Sequence, residues 1–469
     1  LALFLGLCRL GAILVGVNTR YRSSEVEYIL RKSGARMLVM QTGFRQIDFA
    51  AILSAIDADT VPGLESIVVV AAEAETHGQV LRGRSSVSWE QLLSAGGSVA
   101  NAAQPDDPCV LFITSGTTRG PKLIVHRQGS IVKHARDVAL ACRFAEPEAK
   151  LLAALPFCGV FGFCSAMAAL AAGVSIHLLE PFIAEEAARV VRDERITHCF
   201  GSDEMFSRML GAAGNADAPY PSARVFGFAA FHSGALEVAR SAWMRGVPML
   251  GLYGSSEVQA LFALQDPALP QDERIVGGGR PVGGALAAVR VRDLETGELA
   301  PPGRSGELEM TGPGLFSGYF NDPRATADAM TADGFFRTGD LGRLRSDGSF
   351  VYEARIGDAL RLGGYLVGPG EIEDVIKEMP GIADAQVVGV EIEGAARPAA
   401  FVIATAGRNV EPHAVTEHCT ARLARFKIPA RVWQLDAFPT VASPNGTKIQ
   451  RAQLRQHALD LLRRESAHG

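Results

Sequence analysis

Short, uniformly apolar runs rich in Val and Ile recur between stretches with helical patterning: Arg36-Met-Leu-Val-Met40, Ser66-Ile-Val-Val-Val70, Val110-Leu-Phe-Ile113 and Val174-Ser-Ile-His-Leu178. A strand without polar alternation must be covered on both faces, and helices between successive strands supply that cover. The pattern therefore predicts an α/β fold in which parallel-type sheets are sandwiched by helices. An apolar fraction of 48% and a charged fraction of 21% leave ample material for such a core and exclude a disordered chain. At 469 residues the chain is long enough for about two or three domains of roughly 100–200 residues each.

Near Gly279 the texture changes. From Arg290 to Tyr352 the sequence reads as strand and turn, with Thr296-Gly297, Pro302-Gly303, Asp333-Gly334 and Asp347-Gly348 as turn signals. From about Ala354, a helix (Gly370 to Met379), alternating strands (Ala385 to Val390, Ala399 to Ile403) and a further helix predict a small α+β unit. The expected division is a large domain over 1–353, with parallel-type sheets and a β-rich subdomain, followed by a small mobile α+β domain over 354–469.

Two stretches invite a membrane reading. Leu1 to Val17 is apolar apart from Arg9, has no basic leader and runs into Asn18-Thr19-Arg20, so it reads as a buried helix plus a strand, not a signal peptide. The chain opens at Leu1 in mid-element, and an N-terminal truncation is expected. Leu151 to Leu179 carries no Asp, Glu, Lys or Arg over 29 residues, long enough to span a bilayer. Pro156, Gly159, Gly162 and Gly173 interrupt it and His177 is polar, so strand, turn, buried helix and strand are expected in place of a membrane span.

With 46 basic against 51 acidic residues and a net charge of −5, the composition gives no general attraction to nucleic acid or anionic membrane. No nucleic-acid partner is expected. The seven cysteines (8, 109, 142, 158, 164, 199, 419) are odd in number and form no CxxC pair. They read as reduced thiols of a cytoplasmic protein, not a disulfide framework. His198-Cys199 and His418-Cys419 are adjacent pairs without a second cluster at ligand spacing, so no zinc site is expected.

The strongest chemical signal is Phe112-Ile-Thr-Ser-Gly-Thr-Thr-Arg-Gly-Pro-Lys122. A strand runs into a loop with four hydroxyl residues (Thr114, Ser115, Thr117, Thr118), two glycines and Lys122. Backbone N–H groups, hydroxyl donors and one cation are what a polyphosphate needs. The loop is not of the Walker A type. In Gly251-Leu-Tyr-Gly-Ser-Ser-Glu257 a tyrosine beside a glycine can lay its ring on a purine, and the carboxylate four residues on can hold a magnesium ion bridging phosphates. In Phe336-Arg-Thr-Gly-Asp-Leu341 the Asp after a Gly turn could accept both ribose hydroxyls, although an Asp there is more often a cap. Two further segments are Ala354-Arg-Ile-Gly-Asp-Ala-Leu-Arg-Leu-Gly-Gly-Tyr-Leu-Val-Gly-Pro-Gly-Glu-Ile-Glu373 and Pro444-Asn-Gly-Thr-Lys-Ile-Gln-Arg451. A lysine on a glycine-containing loop is usually just solvated, so Lys448 gains weight only from the company it keeps.

Taken in this order, the five segments resemble the adenylate-forming superfamily of acyl-CoA synthetases, amino-acid adenylation domains and firefly luciferase, over nearly the whole chain. The resemblance implies an AMP-forming ligase with ATP, Mg2+ and CoA as co-substrates and cofactor. A carboxylate attacks the α-phosphate to give acyl-AMP and pyrophosphate, and a thiol then displaces AMP. It further implies that Thr114, Ser115, Gly116, Thr117, Thr118 and Lys122 hold the β,γ-phosphates and that Glu257 holds magnesium. Tyr253, followed by Gly254, Ser255 and Ser256, would stack on adenine beside Ser233, Gly234 and Ala235. Asp340 and Arg355 would fix the ribose, and Lys448 would be the catalytic lysine. Gly357 would be the hinge about which 358–469 turn, bringing Gly363, Gly364 and Tyr365 to the CoA path. Family members carry further residues before the point where Leu1 stands, in keeping with the expected truncation.

The chain departs from the family pattern in places. Positions 119–120 read Arg-Gly where Gly-x is usual, and Leu123 replaces a Gly, which puts the path of the phosphate loop in doubt. Ser256 stands for Thr, Gly159 for a pocket-wall His, Gly357 for the usual Asp or Lys, and Thr447 for the Gly before the lysine. Phe157, Gly159, Val160, Phe161, Gly227 and Gly251 are the candidate walls of the acyl pocket. No Asp lies in 155–162 to bind an α-ammonium, so a small-molecule carboxylic acid without an amino group, aromatic or medium-chain aliphatic, is preferred. Transfer to a carrier-protein phosphopantetheine, a non-catalytic acid-binding paralogue and, more remotely, a luciferase-type oxygenase stay as alternatives. The oligomeric state is open, a homodimer included.

Overall fold

The computed structural model describes residues 1–45, 47–70, 81, 83–97, 101, 103–114, 121–229, 235–362, 365–392, 395–443 and 446–468. The chain divides into two compact units. One comprises Leu1–Ile131, Phe157–Gly159 and Phe316–Thr326; the other comprises Val132–Pro156, Val160–Leu315 and Ala327–Gly469.

The first unit holds two sheets. The runs Met37–Gln41 and Ser66–Val70 pair in parallel, with Ser85–Ser88 parallel on the far side. Ile67 and Val69 of the middle strand pack with Val26 and Leu30 of the helix Ser23–Ser33, as covered strands require. The run Val110–Ile113 departs from the parallel expectation. Its strand, Pro108–Ile113, is parallel to Leu14–Val15 but antiparallel to Leu123–Arg127, which in turn pairs with Gly318–Tyr319. The connection 114–122 is too short for the crossover a parallel pair needs, so it closes a hairpin. The N-terminal expectation also needs correction. A helix, Ala2–Arg9, and a strand, Leu14–Val15, are present, but the helix is not buried: Phe4 alone is, while Leu5 and Leu10 are 47% and 49% exposed. Within the helix, only the stripe through Leu3, Phe4, Leu7 and Cys8 turns inward, at helical spacing.

The second unit is built on one eleven-stranded sheet. Its parallel half runs Ser175–Leu178, Lys150–Ala153, His198–Ser202, Val225–Ala229 and Met249–Ser255. The antiparallel half continues without a break through Gln259–Leu264, Gly278–Pro281, Phe350–Arg355, Phe336–Leu344, Gly306–Thr311 and Ala288–Arg292. The β-rich region is thus an extension of the parallel sheet, and the switch falls at the turn after Ser255, upstream of the texture change at Gly279. A tight turn can join only antiparallel neighbours. The uncharged stretch resolves as expected into strand, buried helix and strand. In the helix Val160–Ala172 every residue from Val160 to Ala169 is buried, as an all-round apolar helix must be. Among the described residues no helix is long and apolar enough to cross a membrane.

The C-terminal part of this unit packs the helix Pro369–Lys377 on the hairpin Ile382–Ile392 and Ala395–Ala404, with Arg431–Gln434 parallel at its edge. Ile372, Ile376, Val387 and Val402 share one apolar cluster there with Val415 of the helix Pro412–Thr420.

Candidate active site

In the second unit, Asp340 and Arg355 stand directly opposite each other on the antiparallel strands Phe336–Leu344 and Phe350–Arg355. Gly339, at φ +69°, adopts a conformation that favours glycine and lets the strand turn just before the carboxylate. The Thr338 hydroxyl donates to the Leu308 carbonyl (2.7 Å) and accepts from the Asp340 N–H (3.0 Å), while the Gly339 N–H donates to Glu307 (3.1 Å). These bonds fix the Asp340 backbone. Its carboxylate meets two donors: Arg355 Nη1 lies 3.0 Å from Oδ1, and the Tyr253 hydroxyl donates to Oδ2 at 2.5 Å. Arg355 also donates to the Thr338 carbonyl (2.7 Å). Tyr253 and Asp340 are both buried. Burial pushes the Asp340 carboxyl above the usual aspartate range, against the pull of Arg355 and of the Tyr253 hydrogen bond. Burial, reinforced by the Asp340 charge, pushes the Tyr253 phenol well above its ordinary value and keeps it a donor.

The Tyr253 ring packs edge-on to Phe350 (5.4 Å) and tilted against Tyr352 (5.8 Å). Beyond it the strand bulges at Gly254 and turns through Ser256 and Glu257, whose N–H donates to the Ser255 hydroxyl (3.3 Å). The return strand is strained: Gln259 and Leu261 both take left-handed φ, at 65° and 64°. Between them the Ala260 carbonyl accepts from His134 Nε2 (2.7 Å), and the Gln259 amide donates to the Gly314 carbonyl (3.3 Å). Burial pushes His134 down to about 4, so it is a neutral donor that holds this turn in place.

Glu257 suits magnesium on its chemistry. Among the described residues no cluster of three His, Cys, Asp or Glu could cage an ion. A single half-buried carboxylate beside two hydroxyl side chains is the kind of oxygen donor magnesium takes when phosphates supply the rest of its shell.

In the first unit, Thr114 and Lys122 meet at the base of the segment expected to hold phosphate. The Thr114 N–H donates to the Lys122 carbonyl (3.0 Å), and the Lys122 N–H donates to Thr114 Oγ1 (3.2 Å). Ser115, Gly116, Thr117 and Thr118 lie outside the described residues, as do Ser233, Gly234, Gly363 and Gly364. Ala235 opens the helix Ala235–Met244, and Tyr365 opens the strand Tyr365–Val367. Lys448 lies on Gly446–Ile449, across a hairpin from Val441. Gly357 sits in an exposed turn, and a Cβ there would touch nothing.

Of the acyl-pocket candidates, Phe157 and Gly159 belong to the first unit, whereas Val160 and Phe161 begin the buried helix of the second. Gly227 and Gly251 lie on adjacent parallel strands. Their missing side chains are accounted for by packing: a Cβ on Gly251 would stand 1.9 Å from the Val276 carbonyl oxygen, and one on Gly227 2.7 Å from the Phe200 ring.

Sequence reasoning missed Thr338, Phe350 and Tyr352. Thr338 lies inside the Thr-Gly-Asp segment, whose side-chain oxygen could have been read as a turn brace. Phe350 and Tyr352 are two apart on one strand, which puts both rings on one face.

Two family models match the chain: AMP-binding enzyme over residues 1–320 and AMP-binding enzyme C-terminal domain over 371–444. A long-chain-fatty-acid–CoA ligase of Mycobacterium tuberculosis is 28% identical over 97% of this chain and 85% of that protein. An indoleacetate–CoA ligase of Aromatoleum aromaticum is likewise 28% identical, over 97% of this chain and 85% of its own length. The structure of ATP-bound MatB from Rhodopseudomonas palustris superposes with a TM-score of 0.82 at 25% identity, covering 98% of this chain and 86% of that one.

Proposed function

The chain belongs to the AMP-binding enzyme family, and from that premise we propose that it is an acid–thiol ligase. It joins a non-amino carboxylic acid, aromatic or medium-chain aliphatic, to CoA by way of an acyl-AMP. The observation that carries this reading is Asp340, buried with Tyr253 and held by that phenol on one oxygen and by the more exposed Arg355 on the other. A carboxylate held by two donors, one on each oxygen, is a fixed acceptor that can take both hydroxyls of a ribose without moving. Preorganisation of that kind spares the ordering cost of binding.

In the first half-reaction the acid's carboxylate attacks the α-phosphate and pyrophosphate leaves. Thr114 to Lys122 hold the β,γ-phosphates, and Lys448 stabilises the charge developing between carboxylate and α-phosphate oxygens. Glu257 would hold magnesium, which would neutralise charge on the phosphates. In the second half-reaction 358–469 turn about Gly357, and the thiol of CoA, entering past Gly363, Gly364 and Tyr365, displaces AMP. Phe157, Gly159, Val160, Phe161, Gly227 and Gly251 shape the acyl pocket. The ligase names of the fatty-acid and indoleacetate relatives support an acid substrate.

A panel of acids assayed for acid-dependent pyrophosphate release, then for thioester with CoA or with a phosphopantetheine carrier, tests the proposal. Release without any thioester, or nucleotide binding without release, would overturn it. Within that assay Glu257→Gln should weaken the magnesium dependence of the first step, because the amide keeps the shape and loses the charge.

A further inference from the structure

Tyr28 and Lys32 lie one turn apart on the helix Ser23–Ser33 and meet on the same atom. The Tyr28 hydroxyl donates to the Pro121 carbonyl at 2.9 Å. The Lys32 ammonium donates to that carbonyl at 3.0 Å and to the Tyr28 oxygen at 2.9 Å. Pro121 immediately precedes the lysine of the phosphate loop, and its carbonyl shares a planar peptide unit with the Lys122 N–H. That N–H donates to Thr114 Oγ1 (3.2 Å). Both polar ends of the plane are therefore held, one from the helix and one from the strand before the loop. The side chain of Lys122 is held too, with Nζ 4.2 Å from the centre of the Tyr319 ring. Tyr319 stands opposite Ile124 in the sheet, and its own N–H donates to Thr326.

Immobilising a lysine costs rotamer freedom that its contacts must offset. The helix Ser23–Ser33 is already anchored through the buried Val26, Ile29 and Leu30, so what the polar pair adds is a fixed position for the loop carbonyl. The Pro121 carbonyl and the Tyr28 oxygen are both uncharged acceptors. We propose that Tyr28 and Lys32 are positioning residues for the triphosphate: they fix the 121–122 peptide plane and thereby the point from which Lys122 reaches a bound polyphosphate. The proposal rests on the phosphate-loop reading above.

Calorimetric titration of the full chain with magnesium ATP and, separately, with AMP tests it in wild type, Tyr28→Phe, Lys32→Met and Lys32→Arg. ATP affinity should fall roughly tenfold in Lys32→Met and several-fold in Tyr28→Phe, the scale for losing hydrogen bonds that involve a charged donor. AMP, which lacks the β,γ-phosphates, should bind within about twofold of wild type, and Lys32→Arg should recover most of the ATP affinity. Equal losses for ATP and AMP would reduce the pair to a structural role, and unchanged ATP affinity would remove it from the site altogether. If Lys32→Met does not fold, Tyr28→Phe, which deletes one oxygen, decides by the same criterion. A wild type that binds neither nucleotide overturns the parent reading and this one with it, whereas a wild type that binds both while the variants match it overturns the clamp alone.

Discussion

Glu373 receives Arg451 in a two-pronged ion pair, Nη1 to Oε1 at 2.7 Å and Nη2 to Oε2 at 3.0 Å. The Glu373 side chain is 1% exposed and also accepts the Val387 N–H (2.8 Å). Arg451 begins the helix Arg451–His468, three residues past Lys448. The pair therefore ties the trailing end of the lysine hairpin to the helix Pro369–Lys377, where a one-sided loss would leave a buried charge.

Glu373→Ala should cost about 3–5 kcal/mol in stability, the scale for removing one partner of a buried pair. It should also slow acyl-AMP formation in protein that is still folded, because Lys448 loses its tether. Denaturant unfolding and the first half-reaction, measured on the same preparation, check both. A loss of stability with an unchanged adenylation rate would separate the pair from the lysine.

Lys448→Ala should slow acyl-AMP formation by on the order of 10²-fold or more, the scale for a major electrostatic stabiliser. Only that step develops charge beside the lysine, so thioester formation from supplied acyl-AMP should survive. Equal falls in both half-reactions would contradict the assignment.

Asp340 offers both oxygens as charged acceptors to the ribose hydroxyls when it is ionised, protonation turning one of them into a donor, and burial raises its carboxyl above the ordinary aspartate range. AMP affinity should therefore decline as pH falls, along a limb centred above the ordinary value of about 3.9. Asp340→Asn should bind AMP more weakly at neutral pH and lose that limb. A wild-type affinity flat through this range would mean that the carboxylate does not hold the nucleotide.

Gly357 occupies an exposed turn with room around it. Gly357→Pro fixes φ near −65° and should trap one orientation of 358–469. Adenylation should be spared while the thioester step drops sharply. Two intact rates in folded protein would place the hinge elsewhere.

His134 and His198 are buried, and burial lowers both from 6.5 to about 4. The unfolded chain takes up these protons near 6.5 and the folded chain only near 4. Their contribution to stability is therefore complete above about pH 6.5 and is lost progressively as pH falls toward 4. His134→Gln keeps a donor for the Ala260 carbonyl but cannot titrate, so it should flatten part of that slope in pH-dependent denaturant unfolding. A slope identical to wild type would mean that His134 is not neutral in the fold.

The sequence by itself determined what is encoded in contiguous residues. The apolar run at Ser66–Val70 is a strand because such residues must be covered on both faces. The helix Val160–Ala172, without a charged residue, is buried from Val160 to Ala169 because no face of that stretch favours water. Five short segments were enough to indicate the family, since a loop that binds phosphate carries its donors within a few residues of one another. Tertiary structure decided the partnerships. Tyr253 and Asp340 are 87 residues apart and Glu373 and Arg451 are 78 apart, and neither pair has a local signal. Each depends on strand register and helix packing, which set the pairing by summing many weak contacts along whole elements. The same holds for the antiparallel pairing of the strand Pro108–Ile113 and for the continuation of the parallel sheet beyond Ser255. A run of apolar residues specifies that a strand is covered, while the length and path of the connecting chain decide which neighbour covers it and in which direction.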